Sequence, residues 1–483
     1  MADITGKIQQ LFSGFSHRNV SSIQKLPKSG SNREYYRINT EEGDNEVSFI
    51  ATYNPNVEEN QAFIFLARHF HELQLPVPVI YTVSGDNTIY IQEDLGGISL
   101  LDARTQDGDH DTVYQLYKKS LRELAGMQFI GGKGLDYSFS QGSGVFGREA
   151  VLHDLLYFKF YFLDALSITY NREKLLLELE MLAGRLSSTA YSYFMFRDFQ
   201  GRNIMVRGGD VTFIDFQGGM KGPMVYDAAS LLWQAKAQLS NSWRDSLFTY
   251  YMNCVEEITG NELNREMFRE EYNGFVLLRL LQVLGAYGFR GLFERKQHFL
   301  SSIPQALENL ADFKKQFGIP ALYPELNHVV NKLISGDVKK RFTATVATEN
   351  SPLVVKINSF SFTQRGYPPD NSGNGGGFVF DCRGIMNPGR IDEFKPMTGR
   401  DDAVKIYLEE NTRMPQFLER VYETVDIAVE NYLERGFENL VVSFGCTGGR
   451  HRSVYAADAL AKHLKDKYNV KTVVSHMEQE FKN

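Results

Sequence analysis

The chain has 483 residues, 43% of them hydrophobic, which is enough for two or three domains with complete cores. Its net charge of -7 gives no overall attraction to nucleic acid or to an anionic membrane. Three cysteines, Cys254, Cys382 and Cys446, have neither zinc-site spacing nor the number for a disulfide framework. With no signal-peptide pattern at the start and no long apolar run, we expect a cytoplasmic protein without a membrane span.

The first part of the chain has the pattern of short strands followed by long helices. Strands are predicted at 22–27, 34–39, 46–53, 79–83 and 88–94, with a helix at 58–74. From about 110 to 335 the pattern is mainly helical, apart from a hairpin-like cluster at 193–217. A small β-rich lobe before a large helical lobe is the order of elements in an α+β, two-lobed, protein-kinase-like domain.

A change of pattern near residue 336 divides the chain. We expect a large domain over 1–335, a linker over 336–351 and a small domain over 352–483. In the small domain, predicted strands (355–362, 377–384, 439–445, 470–476) alternate with predicted helices (414–436, 452–468). Such alternation predicts a smaller α/β domain with a mainly parallel sheet.

The stretch YFMFRDFQGRNIMVRGGDVTFIDFQGG, residues 193–219, has three polar side chains at a spacing that suits phosphoryl transfer. Asp198 precedes Asn203 by five residues, and Asp215 ends a predicted hairpin. Such transfer needs one carboxylate to orient the acceptor hydroxyl and take its proton. It also needs an amide oxygen and a second carboxylate to hold the magnesium that bridges the phosphates of ATP. We assign Asp198 to the first role, and Asn203 and Asp215 to the second.

Two stretches of the first lobe are candidates for nucleotide contacts. A turn between the first two strands can direct backbone N–H groups at phosphates, although a plain hairpin turn explains it equally well. A segment near residue 93 lies where a hinge between the lobes is expected, and its backbone can bond an adenine edge. The candidate residues are Ser29, Gly30, Ser31, Asn32, Arg33, Glu93 and Leu95.

On the motifs SGSNREYYRI, LPVPVIY, QEDLGG, FRDFQGRNIMV, FIDFQGG, GPMVYDAASLL and LLQVLGAYGFR, residues 25–310 resemble the aminoglycoside phosphotransferase-like kinases. Within that family they look most like the anomeric kinases of the cell-wall amino sugars N-acetylmuramate and N-acetylglucosamine. The resemblance implies ATP and Mg²⁺ as cofactors and a sugar as substrate.

Two features depart from that family. Phe196 stands where the family usually has histidine, two residues before the catalytic aspartate. The strand VSFIATYNP has no lysine, although this strand often provides one to the phosphates. Lys25, Arg33 and Arg37 are alternative replacements for it. An inactive kinase scaffold that senses a metabolite therefore stays an alternative, as does a kinase for an aminoglycoside or another small alcohol.

The segment NLVVSFGCTGGRHRSVYAADALAKHL, residues 439–464, has the pattern of a strand, a glycine turn and a helix. The helix start then offers unpaired N–H groups and a positive dipole end to an anion. The spacing from Cys446 also suits a cysteine phosphatase loop, but Gly445 stands where such phosphatases usually have histidine. A purely structural turn is the third alternative. The candidate residues are Gly445, Cys446, Thr447, Gly448, Gly449, Arg450, His451, Arg452 and Ser453.

On the motifs INSFSF, FVFDCRGIMNPG, TGRDDAVKIY and GCTGGRHRSVYAADALA, residues 352–483 resemble the C-terminal domain of the RNase adapter protein RapZ. The resemblance implies a phosphorylated amino sugar as ligand, with Asp381, Arg383 and Asn387 in the same pocket, and RNA or protein partners in some members. The segment has 17 Lys and Arg against 18 Asp and Glu, which argues against nucleic acid as a partner. A homo-oligomer is compatible with the sequence.

Overall fold

The computed structural model describes residues 4–27, 33–42, 45–139, 144–188, 193–294, 296–342, 351–364, 366–368 and 377–479. The chain forms two compact units, Met1–Phe342 and Thr343–Asn483. The boundary between them falls inside the segment predicted as a linker, and a short helix within that segment belongs to the first unit. The domain limits themselves stay a prediction.

An antiparallel sheet of five strands, in the order β1-β2-β3-β5-β4, forms the first lobe of the larger unit. Its elements are α1 (Ile4–Phe15), β1 (Asn19–Lys25), β2 (Glu34–Glu42), β3 (Asn45–Tyr53), α2 (Val57–Glu72), β4 (Ile80–Val83) and β5 (Ile89–Glu93). One face of the sheet packs on Ile8 and Phe12 of α1. On the other face, Tyr90 of β5 stacks on Phe63 of α2, which stacks on Phe216 of the second lobe at 4.7 Å between centroids.

The second lobe is mainly helical, with two small two-stranded sheets inserted. Its elements are α3 (Leu100–Asp107), α4 (Asp111–Gly126), α5 (Arg148–Phe158), α6 (Arg172–Leu186), β6 (Tyr193–Met195), β7 (Ile204–Arg207), β8 (Asp210–Phe213), β9 (Met220–Gly222), α7 (Met224–Leu232), α8 (Asn241–Thr259), α9 (Arg265–Tyr287), α10 (Gln297–Leu300), α11 (Ile303–Phe317), α12 (Pro324–Leu333) and α13 (Gly336–Lys340). Strand β6 pairs with β9, and β7 pairs with β8, both antiparallel.

Helix α9 and its extension, together Arg265–Phe293, are long and apolar enough to cross a membrane by length and composition. Within the part of the chain that the structure describes, this is the one helix that meets those criteria. Since 61% of its most apolar window is buried inside the unit, it has the burial of a core helix.

The smaller unit has a four-stranded, fully parallel sheet in the order β11-β12-β10-β13. Its elements are β10 (Val354–Ser361), β11 (Phe378–Asp381), α14 (Asp402–Asn411), α15 (Met414–Arg435), β12 (Asn439–Cys446), α16 (Arg452–Tyr468) and β13 (Lys471–His476). The fold class expected from the sequence is confirmed in both units. Helix α14, in the motif DDAVKIY, was missed, because it is short and has charged residues near both ends, which gives a weak helical period.

Candidate active site and candidate anion loop

Asp227 of α7 holds the backbone of the loop that carries Asp198. Its two carboxylate oxygens accept hydrogen bonds from the N–H groups of Phe196, at 2.7 Å, and Arg197, at 3.0 Å. Complete burial raises the pKa of Asp227 to about 7, although these bonds oppose the rise. Arg197 has a left-handed φ of 70°, a strained conformation for a non-glycine residue that the two bonds maintain. The next residue, Asp198, is exposed.

Phe196, the first departure from the expected family pattern, lies in an aromatic cluster under this loop. Its ring centroid is within 6 Å of those of four other phenylalanines, Phe194, Phe199, Phe213 and Phe216. The side chain therefore fills core space, and only its backbone N–H takes part in holding the loop. A histidine is not needed at this position for the contact with Asp227.

Asn203 is linked by hydrogen bonds to the loop that carries Asp198 and to the segment that precedes Asp215. Its side-chain Nδ2 donates to the backbone carbonyl of Asp198 at 2.9 Å. Its own carbonyl accepts from Ile214 N–H at 3.0 Å, which places Asn203 beside Asp215 across the β7–β8 hairpin. Because the amide nitrogen is engaged, the amide oxygen is the atom left for a ligand. No donor among the described residues reaches it.

Asp215 follows β8 and also has a left-handed φ, of 65°. One oxygen, Oδ1, accepts from Arg33 Nη1 at 2.8 Å and from Gln217 Nε2 at 2.9 Å. Within the described ranges no donor reaches Oδ2. Asn203 and Asp215 thus each have one atom fixed and one oxygen open, which suits a hard divalent cation. The described residues contain no cluster of three or more His, Cys, Asp or Glu, so phosphate and water oxygens would complete such a cation's shell.

Of the residues predicted to contact the nucleotide, Ser29, Gly30, Ser31 and Asn32 lie outside the described residues. Arg33 is described, and its side chain is only 4% exposed. It lies between two carboxylates, since Nη2 contacts Glu59 Oε1 at 2.5 Å while Nη1 contacts Asp215. Sequence reasoning missed Glu59, whose only sequence signal is its place in the first turn of α2, after the N-cap Asn56.

The predicted hinge is held in place by two arginines. Arg207 Nη2 donates to Glu93 at 2.6 Å, and Arg37 Nε donates to Asp94 at 2.6 Å. Leu95 is buried, and its backbone N–H has no acceptor in the described parts of the chain. The backbone at this position can therefore donate to an adenine edge.

The glycine turn of the smaller unit lies between the end of β12 and the start of α16. Cys446 is buried, with Sγ 3.2 Å from Ser453 Oγ. Gly449 has a φ of 63°, and a Cβ there would lie 3.0 Å from the backbone nitrogen of Ser361. Thr447 and Gly448 are exposed, so they form the accessible part of the turn.

The three basic residues of this turn bind backbone carbonyls of neighbouring segments. Arg450 donates to Pro396 O, and His451 Nε2 lies 2.9 Å from Phe394 O. Arg452 is buried and donates to Ile385 O at 2.7 Å. Burial lowers the pKa of His451, which favours its neutral form. The arginines keep their charge in these contacts, and backbone N–H groups of the exposed part of the turn can add to the attraction for an anion.

The predicted partners of the turn lie along its edge. Asp381 pairs in register with Gly445, and Arg383 forms a bidentate ion pair with Asp381. The carbonyl of Arg383 accepts from Arg452 at 3.2 Å. Asn387 caps the next turn through Gly389 N–H at 3.2 Å. The structure thus places the predicted ligand-binding residues around one turn, while their binding role stays a prediction.

The two lobes and the geometry at Asp198, Asn203 and Asp215 define the larger unit as a phosphotransferase domain. Residues 22–260 match the model of the phosphotransferase enzyme family, APH, and residues 353–480 match that of the RapZ C-terminal domain. The resemblances to the phosphotransferase family and to the RapZ C-terminal domain are thereby confirmed, while the amino-sugar subgroup stays a prediction.

Individual relatives cover only parts of the chain. A nucleotide-binding protein of Fervidobacterium nodosum is 38% identical over 127 residues, 26% of this chain and 43% of that protein. One from Thermotoga neapolitana is 31% identical over 173 residues, 35% of this chain and 59% of that protein. The chain thus spans about half the length of these curated relatives.

Solved structures of similar shape include two kinases. The amicoumacin kinase hAmiN, in complex with AMP-PNP, Ca²⁺ and Ami, is 14% identical with a TM-score of 0.46, covering 68% of this chain and 96% of that one. Choline kinase from Cryptosporidium parvum is 12% identical with a TM-score of 0.46, covering 68% of this chain and 99% of that one.

Proposed function

We propose that the larger unit is an ATP- and Mg²⁺-dependent kinase that phosphorylates a cell-wall amino sugar of the N-acetylmuramate or N-acetylglucosamine type at its anomeric hydroxyl. The observation that carries the kinase assignment is the linkage of Asp198, Asn203 and Asp215 through one loop and one hairpin. The sugar assignment rests on the motif resemblance of residues 25–310. The reducing setting implied by the cysteines supports a cytoplasmic location.

In this proposal each side chain has a separate part. The exposed carboxylate of Asp198 orients the sugar hydroxyl and accepts its proton as the oxygen attacks the γ-phosphorus of ATP, whose bond to the bridging oxygen breaks so that ADP leaves. Asn203 Oδ1 and Asp215 Oδ2 would hold Mg²⁺, which would supply positive charge to the phosphates. Leu95 N–H bonds the adenine edge. The Asp227 contacts keep Asp198 in place through the reaction.

We propose that the smaller unit binds a phosphorylated amino sugar at the turn 445–453 and regulates the kinase. The RapZ-type match and the exposed turn at a helix start support this. A cysteine-phosphatase role receives no support from the geometry, since Cys446 is 2% exposed and its Sγ contacts Ser453. A nucleophile needs an accessible thiolate.

The kinase proposal is tested by ATP turnover with Mg²⁺ on N-acetylmuramate, N-acetylglucosamine, glucosamine and an aminoglycoside. Turnover on the acetylated sugars should fall by about 10² or more in Asp198→Asn, because a positioned base contributes about 10²–10⁴-fold. Asp210→Asn, an exposed aspartate in the adjacent turn, is the control and should retain activity. No turnover on any sugar by the folded wild type would reject the sugar-kinase proposal in favour of a metabolite-sensing scaffold.

The regulatory proposal is tested by calorimetry with glucosamine 6-phosphate, using glucosamine and inorganic phosphate as comparison ligands. We expect glucosamine 6-phosphate to bind and to change the affinity for ATP or the turnover rate, because coupling requires a differential effect on one of them. Binding without any change in either quantity would reject regulation while leaving a phosphosugar site.

A further inference from the structure

Arg33, directly before β2, reaches two carboxylates that come from different parts of the larger unit. Its Nη2 is 2.5 Å from Glu59 Oε1 on α2, and its Nη1 is 2.8 Å from Asp215 Oδ1 after β8. Glu59 is itself oriented, since its other oxygen accepts from Asn54 Nδ2 at 2.9 Å. The guanidinium thus joins helix α2 of the first lobe to the metal-binding aspartate of the second lobe.

The neighbouring strand β3 provides no positive charge to this place. Its sequence, NEVSFIATY, contains no lysine or arginine. Thr52 of β3 pairs with Tyr35 of β2 on one side and with Tyr90 of β5 on the other. Arg33 lies directly before β2, two residues ahead of Tyr35. The positive charge beside Asp215 therefore comes from the residue that leads into the adjacent strand.

The environment keeps Arg33 charged and in one orientation. The side chain is 4% exposed, so its charge must be matched by partners. Burial lowers the pKa of Arg33, but Tyr90, Tyr35 and Asp215 more than compensate, and the pKa is raised overall. A planar guanidinium can donate to both carboxylates at once, which a single ammonium group does with less definite geometry.

The contact at Asp215 is selective between its two oxygens. Arg33 and Gln217 both donate to Oδ1, and no donor among the described residues reaches Oδ2. Holding Oδ1 fixes the carboxylate plane and turns Oδ2 outward. The backbone of Asp215 is in the left-handed region, an uncommon conformation for a non-glycine residue.

We propose that Arg33 is a positioning residue: it holds Asp215 so that Oδ2 can bind the divalent cation of a metal–nucleoside triphosphate. This inference rests on the proposed kinase function. It assigns to Arg33 an action through Asp215, and it makes Glu59 the residue that orients Arg33.

The test is a double-mutant cycle on the Mg²⁺ dependence of ATP binding, measured with a fluorescent ATP analogue and needing no sugar substrate. Arg33→Met should raise the Mg²⁺ concentration for half-maximal binding by about tenfold or more, since a hydrogen bond between charged groups is worth about tenfold to a hundredfold. In an Asp215→Asn background the same substitution should change it by less than about threefold, because the residue through which Arg33 acts is already altered.

Arg122→Met is the matched control, since Arg122 forms a bidentate pair with Glu257 on the surface of the second lobe. It should leave the Mg²⁺ dependence unchanged. Arg33→Lys keeps a buried cation and should recover part of the loss, which also provides a folded variant if Arg33→Met does not fold. Equal effects of Arg33→Met in both backgrounds, or behaviour like that of the control, would overturn the inference.

The behaviour of the wild type distinguishes a failure of the kinase proposal from a failure of the inference about Arg33. A wild type that binds no ATP at any Mg²⁺ concentration would overturn the kinase proposal and this inference together. A wild type that binds Mg·ATP but phosphorylates none of the sugars would remove the sugar assignment and leave the cycle to decide the role of Arg33.

Discussion

Asp227→Asn tests how the catalytic loop is held. The two oxygens of Asp227 accept separate hydrogen bonds, Oδ2 from Phe196 N–H and Oδ1 from Arg197 N–H. Asparagine has a single acceptor oxygen and nearly the same shape. Its NH₂ group must therefore face one of the two N–H donors in a fully buried place, which leaves that donor without an acceptor.

The size of the effect follows from these contacts. A buried donor without an acceptor costs about 1–3 kcal/mol, and we expect the unfolding free energy of the larger unit to fall by that amount. The strained backbone at Arg197 stores about 1–3 kcal/mol, so the loop will relax once a bond is lost. Because a displacement of about 1 Å can lower a rate about 10²-fold, turnover should fall by about a hundredfold.

Two measurements check this expectation. ATP turnover gives the rate, and hydrogen exchange of the 196 and 197 amides reports whether the two bonds have opened. Asp426→Asn is the control, since Asp426 is also buried and paired, with His463, but lies in the smaller unit. Turnover within threefold of wild type, with both amides still protected, would refute the anchoring role of Asp227.

Three further predictions concern pH, the metal and the glycine turn. Burial raises the pKa of Asp227 to about 7, above that of an unfolded aspartate, so its stabilisation is complete below about pH 4 and is lost as pH rises through about 7. Urea unfolding from pH 4 to 8 should show this loss in wild type and less of it in Asp227→Asn. Asn203→Ala should raise the Mg²⁺ requirement for turnover about tenfold in a Mg²⁺ titration, because it removes one proposed ligand oxygen; an unchanged requirement would contradict that role. Gly449→Ala should weaken glucosamine 6-phosphate binding and the stability of the smaller unit by about 1 kcal/mol or more, because it places a Cβ at left-handed φ against backbone. Gly448→Ala meets open space and is the control for the stability measurement.

The parts of the kinase site that are close in sequence could be predicted from it. Asn203 and Asp215 are separated by one short hairpin, and antiparallel pairing of β7 and β8 necessarily brings the hairpin ends together. Asp198 lies five residues before Asn203, within reach of a side-chain bond to its carbonyl. The positions of Asp198, Asn203 and Asp215 relative to one another therefore depend on local turns, and their spacing in the sequence is sufficient to predict them.

Contacts between distant segments could not be found in this way. Arg33 and Asp215 are 182 residues apart, and three cations near β2 and β3 were equal candidates for the missing lysine. Only the packing of the first lobe on the second shows which of the three cations reaches Asp215. Arg37 pairs with Asp94 instead, and Lys25 pairs with Glu34. The basic residues of the glycine turn could not be interpreted from the sequence for the same reason. Their charge is evident from it, but the carbonyl groups they bind lie in other segments of the chain.

The two candidate sites use their charges in opposite ways. Around Asp215 and Asn203 each polar group has one atom fixed by the protein and one oxygen open, so substitutions there should change ligand binding more than folding. At the glycine turn the arginines are bound to carbonyls, so Arg452→Met should first loosen the segment that ends at Ile385. A loss of phosphosugar binding in that variant would not identify Arg452 as a ligand contact. Thr447→Ser is the more direct test, because Thr447 is exposed and serine keeps the hydroxyl that accepts from Arg452 Nη2 at 3.4 Å while altering the accessible surface of the turn.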